Sequence, residues 1–371
     1  MELVLTDDQE ELRSITRSFL EKALPEERVR ELADTVEGYD PAIWTRMAQE
    51  LGLHGLAIPE EFGGAGFGLA ELGVVLEELG GSLYGGPFLS TVVLAARALV
   101  HSGDVGAQTE YLPRIAAGEL IATLAVTEKT GQWAEDAVDA TARHESDGFR
   151  IDGTKQFVLD GASAEVLLVA ARTDAGLSLF LVDAKAPGLT VVSVPTLDQT
   201  RKQAQVVLSD VPAVLLGVEG EGWSVVRRTL EDAGAALSAE RLGAAERIFE
   251  ITVAYAKVRE QYGRPIGSFQ AIKHMCAEMM LEIESMRSVV HYALRTADEQ
   301  PQALGEATSV AEAFTAEHLC HVAGECIQIL GGIGVTWEHP AHLYFKRAQT
   351  SRAFFAEPSE HRENLLNQRA I

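Results

Sequence analysis

The residues best suited to chemistry lie in the run Tyr255 to Gln270, YAKVREQYGRPIGSFQ. Arg259 and Tyr262 are expected to close a helix, Gly263 and Pro265 to force a turn, and Phe269 and Gln270 to open the next helix. An arginine fork beside a helix start suits a diphosphate, through its charge and the free backbone N–H groups of a first turn. The same pattern also reads as a plain helical hairpin with an ordinary arginine. A second run, Gln328 to Gly334, QILGGIG, offers an amide that donates and accepts, next to glycines that let a ligand approach the backbone. Its plainer reading is a helix ending in a glycine cap.

Two further clusters carry less. GGAGFG at Gly63–Gly68 lacks the spacing of a dinucleotide fingerprint and no clear strand precedes it, so it reads as a tight loop between helices. His318, Cys320, His321 and Cys326 fall on one expected helix, where a buried thiol and a hydrogen-bonded imidazole are commoner than a metal site. No metal is expected.

The elements that must position these groups come in three stretches. Up to about residue 120 the chain reads helical. Thr6 to Gln9 offers a cap before Leu12, Ile15, Phe19 and Leu20. Pro41–Leu51 is ended by Gly52, Glu71–Leu79 is closed by Gly80 and Gly81, and Leu89–Val100 follows. Residues 121–218 hold short apolar runs between turn residues: IATLAV, FRIDG, TKQFVL, EVLLVAA, LSLFLV, LTVVSV and AQVVL. Asp147-Gly148 and Asp152-Gly153 read as turn or hairpin signals. This is expected to be an antiparallel barrel or sandwich. Residues 219–371 return to longer helices. One has a seam of Leu242, Ala245, Phe249, Thr252 and Ala256; the others run over Phe269–Glu299, Ala303–Leu330 and Pro358–Gln368. Helical, then β, then helical is not the alternation of a Rossmann domain.

The 371 residues suffice for two or three packed layers or domains. A net charge of −24 argues against non-specific binding to DNA, RNA or anionic membranes. Neither a secretory signal nor a membrane span is read, and the three cysteines, Cys276, Cys320 and Cys326, read as reduced thiols, so the cytoplasm is the expected compartment.

In order along nearly the whole chain, these runs resemble the acyl-CoA dehydrogenase family. LTDDQ at Leu5–Gln9 is similar to the family's opening, and AIPEEFGGAGFG from Ala57 with EEL at Glu77–Leu79 to its first-domain signature. Tyr111-Leu112-Pro113 and AVTE at Ala125–Glu128 are similar to the entry into its middle domain. The resemblance implies an α+β multidomain fold: an N-terminal helical domain (1–120), a middle antiparallel β-barrel or sandwich (121–218) and a C-terminal four-helix bundle (219–371). It implies FAD as cofactor, an acyl-CoA thioester as substrate, paired or tetrameric subunits, and an electron-transfer flavoprotein as acceptor. FAD contacts are implied at Arg259, Gln261, Tyr262, Phe269, Gln270, Gln328, Gly331, Gly332 and Gly334; of these, Arg259, Gln270, Gln328, Gly331 and Gly332 are implied to face the adenine and diphosphate of a neighbour's cofactor. In the middle domain they are implied at Val126, Thr127 and Phe157.

The family's chemistry needs a glutamate to take the α-proton while the β-hydride passes to the flavin. Aligning the last segment through Arg362 puts Phe355 at that glutamate's position. Members that carry the base on the first C-terminal helix have it where this chain has Ala233, followed by Gly234 in place of an arginine. Leu159 stands where a threonine usually bonds flavin N5, and it has no hydrogen-bonding group. Losses on the flavin side with the adenine side intact point to the base-lacking subunit of an α2β2 enzyme, such as those of sterol side-chain degradation. The run GGIGVTWEH followed by HLYFKR is similar to that bacterial group. Three alternatives stand beside it: a self-sufficient enzyme with a displaced base at Glu240 or Glu357, a flavin oxidase or monooxygenase of the same superfamily, and a structural partner without FAD.

Overall fold

The structure, a computed structural model, describes residues 4–146 and 148–368. The described chain divides into two compact units, neither continuous in sequence. One comprises residues 4–29, 69–84 and 234–368; the other comprises 30–68 and 85–233.

The first unit is helical. Helix α1 (Asp7–Ala23) begins on a capping box: Thr6 accepts from the Gln9 backbone N–H while the Gln9 side chain accepts from Thr6. Helix α4 (Leu69–Gly81) runs through Gly80 and Gly81 instead of stopping before them. The glycines serve contact, not termination. A Cβ on Gly80 would stand 1.9 Å from the Glu240 carbonyl oxygen, and one on Gly243 1.8 Å from that of Glu77. Each helix thus offers one bare position to the other's backbone. The partner in this crossing is α7 (Gly222–Val258), whose later part belongs to this unit. Its seam buries Leu242, Ala245, Thr252 and Ala256 as expected, whereas Phe249 is half-buried and Ile248 is the residue fully inside. Helices α8 (Gln270–Glu299), α9 (Leu304–Leu330), α10 (Ala341–Arg352) and α11 (Pro358–Gln368) complete the unit.

The second unit holds α2 (Glu26–Ala33) from Arg30 onward, α3 (Pro41–Gln49), α5 (Ala96–Ser102) and α6 (Val105–Ala116). Leu89–Ala95, expected as α-helix, is wound as a π-helix leading into α5. The loop at Gly63–Gly68 is a tight turn, and Gly64 lies against the Ile58 carbonyl, where a Cβ would meet oxygen at 2.0 Å.

Seven strands form its sheet: β1 (Ala122–Ala125), β2 (Thr141–Glu145), β3 (Gly148–Leu159), β4 (Val166–Thr173), β5 (Gly176–Asp183), β6 (Leu189–Val194) and β7 (Gln203–Leu216). Most pairs are antiparallel, but β1 runs parallel to β4. Strand β5 pairs with both β4 and β7, which closes the sheet into a barrel. Its interior is filled by Phe149, Ile151, Val169, Phe180, Val206 and neighbouring aliphatics. FRIDG and TKQFVL, expected as separate runs, are one strand. Asp152-Gly153 is a bulge, not a hairpin turn: the register to β7 shifts between Ile151 and Gly153, and Gly153 adopts φ +155°. A side chain there would strike Ala140. The other expected turn falls on Asp147, which lies outside the described residues; β2 and β3 pair as far as Glu145 and Gly148. No helix among the described residues is long and apolar enough to cross a membrane.

Candidate active site

The Tyr255–Gln270 run does not close as a simple helical hairpin. Helix α7 stops at Val258. Strands β8 (Glu260–Gln261) and β9 (Arg264–Pro265) then form a two-stranded ribbon turned by Tyr262 and Gly263. Both turn residues have positive φ, +54° and +76°, as a type I′ hairpin requires. The ribbon is braced from behind. The Ile266 N–H donates to the Arg259 carbonyl at 2.7 Å, and the Arg264 guanidinium lies 4.1 Å over the Phe269 ring. Arg259, Gln261 and Gln270 are exposed and Tyr262 is 93% exposed.

Elsewhere in the unit, α9 ends at Gly331, whose φ of +63° and ψ of −139° suit only glycine. Gly331 and Gly332 have no atom within 4 Å of where a Cβ would point. Gln328 is exposed, whereas Gly334 is buried and turned inward. Exposed guanidinium, amide and bare backbone on stiff supports are the groups that a nucleotide diphosphate needs, so FAD's ADP half fits these residues.

The middle-segment positions are committed within their own unit. The Thr127 hydroxyl donates to the Gln156 carbonyl, and the Thr127 carbonyl accepts from the Gln156 N–H. The Val126 carbonyl accepts from Lys155 Nζ, which also pairs with Glu128 at 2.7 Å. Burial pushes the Lys155 ammonium down to about 8, although Glu128 works against it. Phe157 sits at φ +56° with its ring exposed, and Leu159 is buried.

The two positions at which the resemblance implies a base carry side chains without a carboxylate. Phe355 is buried at φ +67°, and Ala233 is fully buried. In the helical unit the space beside Gly234 is taken: a Cβ there would meet Thr308 at 2.5 Å and Glu312 Oε1 at 3.4 Å. Glu312 was not singled out from the sequence. It is buried on α9 and pairs with Arg241 at 2.8 Å, and Arg241 also donates to the Ser351 carbonyl. His361 Nε2 lies 3.7 Å from Glu312 Oε2, and neither ring nitrogen of His361 makes a hydrogen bond among the described residues. Burial raises the Glu312 carboxyl above the usual range, with Arg241 opposing. Burial, with Arg241, lowers His361 to about 4. The trace of this cluster in the sequence is a glutamate between alanines, Ala311 and Ala313, with Thr308, Ser309 and Thr315 on its own face of the helix.

The second unit holds another cluster that sequence reading missed. Asp232, next to Ala233, meets Arg97 at 2.6 Å and His101 at 2.7 Å. Burial opposes its charge, but the two partners hold its carboxyl below the usual range.

Of the displaced-base candidates, Glu240 is buried in an ion pair with Arg347 at 2.7 Å, and Arg347 also donates to the Tyr84 carbonyl. Glu357 is exposed, 3.5 Å from Arg352. His318 contacts the Phe314 carbonyl, His321 meets Glu282, and Cys326 lies against Met279, so these side chains do not converge as a ligand set.

A helical, barrel and helical chain with these glycine and arginine runs has the architecture of the flavin-dependent acyl-CoA dehydrogenases. The chain belongs to the acyl-CoA dehydrogenase family. Its N-terminal domain model matches residues 6–119, the middle-domain model 123–211 and the C-terminal-domain model 220–364. The family's cofactor is FAD, and its members are oxidoreductases acting on acyl-CoA. Acyl-CoA dehydrogenase IpdE2 of Mycolicibacterium smegmatis is 35% identical, covering 97% of this chain and 98% of its own. Acyl-CoA dehydrogenase FadE27 of Mycobacterium tuberculosis is 31% identical over 94% and 93%. Among solved structures, a Tcur3481–Tcur3483 steroid ACAD variant superposes with a TM-score of 0.89 at 33% identity, covering 98% of each chain. The ChsE4–ChsE5 complex of Mycobacterium tuberculosis does so with 0.90 at 28%, covering 100% and 99%.

Proposed function

We propose that this chain is the subunit of a heteromeric acyl-CoA dehydrogenase that grips the ADP half of an FAD whose flavin reacts in a homologous, base-containing partner. The observation that carries this reading is the state of the two base positions. Phe355 and Ala233 are buried and carry no carboxylate, and the space beside Gly234 is already taken by Thr308 and Glu312. Meanwhile Arg259, Gln261, Gln270 and Gln328 stand exposed on braced elements. FAD supplies the hydride acceptor; this chain's residues bind and orient its diphosphate end. Two relatives of known structure, the Tcur3481–Tcur3483 steroid ACAD and the ChsE4–ChsE5 complex, are each named for two proteins, which favours a partner of the same family and an acyl-CoA with a steroidal or other bulky acyl group. An electron-transfer flavoprotein is the acceptor on this reading, and residues 1–120, 121–218 and 219–371 are its functional domains.

The test is flavin per chain, measured on the chain alone and co-purified with its homologue. Nearly flavin-free chains alone, with one FAD per two chains and dehydrogenase activity in the pair, are expected. A full complement of FAD and acyl-CoA oxidation by the chain alone would overturn the reading.

A second reading has one observation in its favour. Glu312 places a carboxylate beside Gly234, on the helix where part of the family carries its base. An active chain alone that Glu312→Gln abolishes without loss of stability would select this reading.

A further inference from the structure

The helical unit contains a cavity of about 450 Å³, a size typical of small-molecule sites. It is lined from α1, the first turn of α2, the end of α4, α7 and α10, and none of the residues implied to touch FAD borders it. Leu20, Leu24, Val29, Ile251 and Leu343 supply an apolar surface. Six carboxylates line it against two guanidiniums, and both guanidiniums are engaged: Arg17 forks onto Glu78 at 2.8 Å and Arg247 meets Glu250 at 3.2 Å. That balance repels an acyl-CoA or a nucleotide and favours an occupant that brings positive charge.

Other features also call for a cation. Helices α1 and α4 both end at the cavity, at Leu24 and at Gly81, so the negative ends of two helix dipoles add to the carboxylates. Glu246, on α7, is half-buried. Its Oε1 accepts no hydrogen bond among the described residues, although Arg287 Nη1 lies 2.6 Å away. Burial pushes the Glu246 carboxyl up to about 7; Glu77 and Glu78 on α4 add to the shift, while Arg287 on α8 and Arg13 on α1 oppose it. The surrounding cations therefore leave this carboxylate undercompensated, with a lone pair open to a donor.

The carboxylates are spread out. Glu77 and Glu78 are buried, whereas Glu21, Glu26 and Glu250 are exposed. Among the described residues, no three histidine, cysteine or acidic side chains gather as a metal ligand set. Separate positive charges joined by apolar stems match such a lining, and one compact ion does not.

We propose that this cavity binds a linear aliphatic polyamine. One ammonium donates to Glu246 Oε1, another meets the exposed carboxylates of Glu21 and Glu250, and the methylenes between them pack on Leu20, Leu24 and Ile251. The site needs only this chain, so it goes beyond the divided-site reading and does not depend on it.

Calorimetric titration of the full-length chain with spermidine, in about 150 mM salt to screen diffuse attraction, tests this. A saturable site of one spermidine per chain is expected. Glu246→Gln should weaken it roughly 10-fold or more, through loss of a charge-assisted hydrogen bond. Ile251→Trp fills the cavity from a half-buried position and changes no charge, and should abolish binding. Glu363→Gln, exposed on α11, should leave the affinity unchanged, and thermal melts check that each variant is folded. Titration without saturation, binding that survives Ile251→Trp, or equal weakening by Glu363→Gln would show only diffuse attraction to a chain of net charge −24 and overturn the proposal. Displacement of spermidine by an equal concentration of magnesium would overturn it in favour of a metal ion. Flavin stoichiometry in the pair is read separately, so failure here leaves the divided site standing and the reverse also holds.

Discussion

Glu240 and Arg347 face each other at 2.7 Å in a site where both side chains are almost wholly withdrawn from water. Removing one partner of a buried pair strands the other's charge. Glu240→Ala should therefore lower the free energy of unfolding by about 3–5 kcal/mol, read from urea melts. A variant that keeps wild-type stability but loses the turnover of the assembled enzyme would make Glu240 a base instead.

Gly80 and Gly243 let α4 and α7 touch backbone to backbone. Gly243→Ala should destabilise the chain by more than about 3 kcal/mol, because the new methyl can only be placed by moving a helix. Gly324, inside α9 with nothing within 4 Å, is the control. Gly324→Ala should stabilise by about 0.5–1 kcal/mol through helix propensity. Thermal melts of the two variants side by side check both signs.

His54 is fully buried against Trp44, ring centroids 3.8 Å apart, and burial lowers it to about 3. The folded state therefore binds its proton more weakly than the unfolded chain, whose histidines titrate near 6.5. Its contribution is complete above that value and is lost as pH falls towards 3. At pH 5 the loss is about 2 kcal/mol. His361, lowered to about 4, acts in the same window. Stability against pH should fall steeply below 6.5 in the wild type, and less steeply in His54→Leu.

Arg259 is exposed on a braced ribbon, so its loss should leave stability unchanged. With a charge-assisted diphosphate contact worth about 1.5–3 kcal/mol, Arg259→Gln should weaken FAD binding by the assembled pair roughly 10- to 100-fold. Equilibrium dialysis of the flavin measures it. Unchanged affinity would remove Arg259 from the cofactor site.

What the sequence made legible follows from locality. The Thr6 cap, the apolar runs that became strands and the long C-terminal helices depend on neighbours within a few residues. Gly80 and Gly153 misled because a glycine does the same thing locally whether it ends an element, bends a strand or admits another backbone; only the opposing segment decides. Helix α10 has an even mixture of polar and apolar residues, with no clear stripe to announce it. Glu312 and Arg241 lie 71 positions apart and meet only after α7 and α9 pack. The exposed ribbon and the open glycines were readable as motifs, but their bracing through Phe269 required coordinates.

Closing the barrel through β5 also decides where the molecule is vulnerable. A ring of strands presents no lateral edge, but β6 is bonded to β7 alone. Its sequence, LTVVSV, is β-prone and uncharged, and Val192 stands half out in solvent. Native sheets usually blunt such a border with lysine, proline or a bulge. Here Pro187 and Pro195 flank the strand but no residue within it does so, so concentrated or partly opened chains should begin to aggregate along β6.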